Sequence, residues 1–136
     1  MSRHLEVTFC DDIREEVGGK LSFMGIYSND MIVPGFPFVL PKLCIAVNVV
    51  SSIEAPVEHL QINLCQDGFD SPIIATDPFQ PPPRPDASDD AAWQVVTMML
   101  VLAPFQIDKA TKLRVIAKTE EGDLRGRSLR IVCANT

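Results

Sequence analysis

The chain has few of the side chains on which most enzyme chemistry depends. Its 136 residues include two histidines, one tryptophan and one tyrosine. A zinc centre needs three or four convergent donors, and neither His4 nor His59 has a second His or a Cys at ligand spacing. A His/Cys catalytic pair would therefore have to be assembled by tertiary contacts within hydrogen-bond reach. The four cysteines, Cys10, Cys44, Cys65 and Cys133, lie too far apart for a zinc knuckle or a redox dithiol. They read as small, semi-apolar fillers in a reducing compartment, with a Cys10–Cys133 pairing open if the terminal strands are neighbours. There is no glycine run to cradle phosphate, no metalloprotease helix signature and no nucleophile elbow. A glycosidase cleft built on paired carboxylates would also lack its aromatic lining.

Positive charge is scarce as well. Twelve basic residues face eighteen acidic ones, for a net charge of -6 and a pI near 4.8. That balance argues against nucleic acid or an anionic membrane as a partner, since both need a basic surface facing phosphate. The apolar runs are interrupted by Lys42, Asn48, Gln94 or Pro104 and fall short of the roughly 20 residues that span a bilayer. Met1 to Glu6 lacks the basic, apolar and small-residue regions of a secretory signal. The expectation is a cytoplasmic protein that uses no cofactor.

What the chain does have is alternation. Apolar residues recur at every second position in Leu43-Ile45-Val47-Val49, in Leu60-Ile62-Leu64 and in Leu113-Val115-Ala117. A period of two marks strands with one buried face, and no segment carries a helical stripe. The pattern predicts an all-β protein: a two-sheet antiparallel β-sandwich, immunoglobulin-like or C2-like, of about seven or eight strands. The length suits one domain over residues 1–136, with a proline-rich loop at 77–90.

Several local features refine this. Leu5, Val7 and Phe9 alternate with Glu6 and Thr8, and the segment that follows runs extended or irregular into a turn at Gly18-Gly19 rather than forming a two-turn helix. Ile26 is out of step with Leu21 and Phe23, which suggests a bulge at Gly25. Val39 is expected to share a face with Leu43, Ile45, Val47 and Val49, and Pro41 to mark a bulge, an edge or a strand start. Trp93 to Phe105 is apolar at nearly every position, as in a central strand covered on both faces or one whose outer face meets another subunit.

The densest charge is Asp11-Asp12-Ile13-Arg14-Glu15-Glu16. Asp11, Asp12, Arg14 and Glu15, with the sole tryptophan Trp93, are the candidate binding residues. The structural reading gives Arg14 a two-pronged carboxylate contact and one Asp a backbone donor at a strand bend. Acidic groups at 11–16, at Asp67 and Asp70, or at Asp86, Asp89 and Asp90 could offer oxygens to calcium, although none matches a calcium-loop spacing. Pro82-x-x-Pro85 with Arg84 outlines a polyproline motif, for which protection of a sheet edge is the plainer role.

The run from Phe9 to Tyr27 resembles the opening of a family of short, uncharacterised bacterial proteins. There a C-D-D-x-R segment, here Cys10 to Arg14, precedes G-K-L-x-x-x-G-I-Y, here Gly19 to Tyr27. The resemblance covers about the first third of the chain and implies a β-rich bacterial domain without assigning an activity, a ligand or catalytic residues. Residues and resemblance together predict a non-catalytic binding or assembly module that associates with itself or with another protein. A calcium-dependent module, or less readily a small hydrolase using His59 or Cys65 beside Asp67, is the rival.

Overall fold

The computed structural model describes residues 3–82 and 93–134. Within them the chain is all β, with no helix. The strands are β1 (His4–Glu15), β2 (Leu21–Ile26), β3 (Met31–Val33), β4 (Phe38–Leu40), β5 (Leu43–Ser52), β6 (Leu60–Gln66), β7 (Ile74–Ala75), β8 (Trp93–Leu102), β9 (Phe105–Ile107), β10 (Thr111–Thr119), β11 (Gly122–Arg125) and β12 (Leu129–Cys133). A four-stranded sheet has the order β2-β1-β5-β8. A six-stranded sheet runs β3-β12-β10-β6-β7, with β11 also paired to β10. The ladder between β12 and β3 is parallel and the other named ladders are antiparallel.

Two facing prolines account for two of the strands beyond the seven or eight that the alternation suggests. β5 and β8 pair without a slip from Leu43↔Leu102 to Ser52↔Trp93. β4 and β9 continue that register from Leu40↔Phe105 to Phe38↔Ile107. The interruption falls where Pro41 and Pro104 would stand opposite each other, because a proline has no N–H to give to a ladder. One ribbon is thereby cut into a ladder of ten pairs and a ladder of three. Past the break Val39 turns outward, 54% exposed, while Phe38 and Leu40 pack against the core, so Val39 does not share the face of Leu43 to Val49.

The three alternating series meet in one hydrophobic cluster with Phe9, Ile107, Leu129 and Ile131. Every member of those series is at most 1% exposed. Burial of this kind contributes roughly 1.5–3 kcal/mol for each large side chain. Gly126 lets the segment between β11 and β12 pass over β1, since a Cβ there would collide with the Val7 methyl.

Other expectations change in the structure. β8 is an edge strand, not a central one: among the described residues β5 is its only ladder partner. The register of β1 with β2 stays in step on both sides of Gly25, so no extra residue is absorbed there. Ile26 lies outward with Met24, on the opposite side from Leu21 and Phe23. Cys10 faces Cys44 across the β1–β5 ladder, while Cys133 lies in the other sheet and all four thiols are free. Residues 84–86, 89 and 90, part of the polyproline and calcium readings, lie outside the described residues.

Candidate interaction surface

The registers define the outer side of the four-stranded sheet residue by residue. Ile26, Cys10, Cys44 and Val101 form one row across all four strands. Beside it run Thr8, Ala46 and Met99, then Glu6, Asn48 and Thr97, then His4, Val50 and Val95. Trp93 stands opposite Ser52 at the far end. At one end of the central strands the outward side chains Thr8, Cys10, Cys44 and Ala46 are small, flanked by longer ones on the two edges. Cys10 and Ala46 are therefore at most 1% exposed although they face outward.

The longer side chains are partly exposed. Trp93, Val95, Met99 and Val101 on β8, with Met24 and Ile26 on β2, are 38–53% exposed. They account for six of the eleven large hydrophobic side chains exposed among the described residues. Single exposed apolar residues are ordinary, but the four on the outer side of β8, on one strand, mark a contact surface. β8 carries no charged residue over its ten positions. Its outward polar group, the Thr97 hydroxyl, donates to Asn48 Oδ1 at 2.7 Å.

The acidic segment lies at the other end of β1. Asp12 accepts from Lys42 Nζ at 2.7 Å and from the Ile13 N–H at 2.9 Å, which holds its carboxyl below the usual range, chiefly through Lys42. Arg14 places Nε and Nη2 each 3.1 Å from Glu16 Oε2, which also accepts from Ser22 Oγ. Asp11 folds over Gly25 and accepts a 2.6 Å bond from the Tyr27 hydroxyl. Burial first, and then this carboxylate, push the tyrosine well above its ordinary pKa. Gly25 has φ +70°, and a Cβ there would strike the Asp11 carboxylate. Asp11, Gly25 and Tyr27 thus form one interlocked unit.

Asp11, Asp12, Arg14 and Glu15 lie near the same end of β1 but on alternate sides of it: Asp12 and Arg14 face outward with Met24 and Ser22, Asp11 and Glu15 the other way, and Trp93 is apart from them all. Trp93 packs edge-on to His4, ring centroids 6.4 Å apart, and His4 is about 26 Å along the strand from Asp12. Glu15 pairs in register with Leu21 and is exposed. Reading β1 and β8 separately does not reveal the shared outer row that adds Met24 and Ile26, because it depends on register. The available signal was parity: Met24 and Ile26 are in step with each other.

Other clusters are already internally paired. Arg3, its side chain 8% exposed, donates to Glu120 at 2.7 Å and to the Pro56 carbonyl at 3.0 Å. Glu120 also accepts from the Glu58 and His59 N–H groups, and its carboxyl is held down to about 2, mostly by Arg3. A depression of about 340 Å³ is lined by Asp67, Phe69, Asp108 and Lys109, among others. Arg114 spans both Asp67 oxygens at 3.3 and 3.4 Å, and Gln106 donates to Asp108 at 2.8 Å. Among the described residues no group of three or more His, Cys, Asp or Glu side chains converges as a metal site would require. His59 precedes β6 and Asp67 follows it, about 26 Å away along the strand direction.

These features describe an all-β protein with an uncharged edge strand that exposes apolar side chains on the outer side of its sheet. The chain belongs to the family of unknown function DUF6941, whose model matches residues 6–132. No curated protein and no solved structure matches it.

Proposed function

We propose that the protein is a non-catalytic binding or assembly module of the bacterial cytoplasm that engages a protein partner through the β8 side of its four-stranded sheet. Its two sheets pack as a sandwich of immunoglobulin-like or C2-like type, a reading supported by the single hydrophobic cluster they share. The observation that carries the function is a ten-residue edge strand with no charge and four exposed large apolar side chains. Edges of this kind are ordinarily shortened, charged or covered, because an open ladder recruits another chain. The interlocked Asp11–Gly25–Tyr27 unit and the Asp12–Lys42 pair shape the far end of the same sheet, and their internal pairing suits a structural role.

The test uses extract of the producing cells. Size-exclusion chromatography of the native protein is expected to place it above monomer mass, and the Val95→Lys, Met99→Lys double variant is expected to return it to monomer mass. A native protein that elutes as a monomer in extract and stays a monomer when purified and concentrated contradicts the reading.

A further inference from the structure

We infer that the occupant of the β8 edge is a second copy of this chain, paired β8 to β8 in antiparallel fashion about a twofold axis at Thr97. This rests on the binding-module reading and names its partner. The two four-stranded sheets would become one continuous sheet of eight strands.

Charge selects the partner. The chain carries -6, so two copies meeting at most other surfaces would oppose acidic groups. β8 is the longest strand at the end of a sheet and has no Asp, Glu, Lys or Arg. The other sheet-end strands are short: β2 has six residues, β3, β4 and β9 three each and β7 two, while β11 carries Asp123 and Arg125. A twofold axis normal to the sheet keeps outward residues opposite outward residues. Centred on Thr97, it sets Trp93 against the second copy's Val101, Val95 against its Met99, and Thr97 against itself. The first two are aromatic–aliphatic and aliphatic–aliphatic pairs of the kind that stabilises neighbouring strands, while each Thr97 hydroxyl keeps its bond to Asn48 of its own copy.

Val96, Met98 and Leu102, half-buried on the inner side, gain cover from the same event. Size sets the strength. Ten residues make an edge about 34 Å long, and with side chains on both sides roughly 10 Å deep the contact is on the order of 340 Å² per copy. That is below the roughly 800 Å² per partner of a permanent complex, so the dimer is reversible.

Sedimentation velocity over a concentration series tests this on the purified full chain. The expected result is a monomer–dimer equilibrium that Val95→Lys weakens by about tenfold or more, since each dimer carries the change twice. Ile32→Lys, at a 67% exposed position on the other sheet, is expected to leave the equilibrium unchanged. In a Cys133→Ser background, Thr97→Cys should cross-link to itself under diamide, because facing Cα atoms on paired strands lie about 4.5–5.5 Å apart. A mixture of Val95→Cys and Met99→Cys proteins should cross-link between the two variants, which covers a failure of the first variant to fold. A monomer at every concentration overturns the inference, as does a dimer insensitive to Val95→Lys or the absence of both cross-links. An assembly seen in extract alongside a purified monomer would leave the binding reading standing and remove only the second copy.

Discussion

The two edges of the four-stranded sheet solve the same problem differently. β2 is six residues long, bends at Gly25 and lies beside the charged end of β1. β8 is ten residues long, runs in unbroken register with β5 and is uncharged. The first edge has devices that discourage a new strand, and the second has none of them. One edge therefore reads as a terminus and the other as an opening. The contrast is useful because both edges share a core and a sheet, so differences between them do not come from global stability.

The largest effect should separate the inner from the outer side of the ribbon. Ile45 is fully buried, and Ile45→Ala is expected to cost about 2–5 kcal/mol in urea unfolding. Val101→Ala, at a half-exposed position in the outer row of the same sheet, should cost the dilute monomer less than about 1 kcal/mol. A similar loss at both positions would mean that the outer row is packed against something in the monomer.

A somewhat smaller effect tests the bend that closes the β2 edge. Gly25→Ala places a side chain at φ +70° and against Asp11, for a cost of about 2–4 kcal/mol. Combining it with Asp11→Ala should recover the steric part but not the backbone part. Strictly additive losses in the double-mutant cycle would show that Asp11 and Gly25 do not touch.

The Glu120 clamp, at the turn between β10 and β11, provides a pH test. Its folded-state pKa, about 2, is below the ordinary 4.5, so its contribution is complete above that ordinary value. It is lost as the pH falls from about 4.5 towards 2. Melting temperature should drop through that window, and Glu120→Gln should flatten the drop. An unchanged slope in the variant would place the acid sensitivity elsewhere.

The least effect on the molecule is a labelling pattern. Cys133 is exposed and should react first with a thiol reagent at neutral pH. Cys10 is buried, and burial with its neighbour Cys44 pushes its thiol up to about 11, so it should react only on unfolding. Early labelling of Cys10 would mean that the outer face opens in the native state.

Much of the interior was legible from period-two patterning, because the buried side of a strand writes itself into alternate positions. Leu43 to Val49, Leu60 to Leu64 and Leu113 to Ala117 are all core. The turn at Gly18-Gly19 also falls where the glycine pair suggests it. Edge and centre could not be told apart the same way. The inner and outer sides of Trp93 to Leu102 are both apolar, as in a central strand, yet the strand has one described neighbour.

Long-range pairing hid the rest. Pro41 and Pro104 are 63 positions apart, and their joint interruption of one ribbon appears only once the register is known. Of the candidate site, the charged cluster at Asp11 to Glu15 was visible as composition. Tyr27 as the partner of Asp11, and Gly25 as the space that its carboxylate fills, depended on β2 folding back onto β1.

Amide hydrogen exchange measured at low and high protein concentration is the most direct probe of the open edge. Protection of alternate β8 amides should rise with concentration, while β2 amides exchange at the same rate in both samples. Equal exchange of β8 at the two concentrations, in a range where the native protein is intact, would contradict the proposed role of that edge as the place where two copies join.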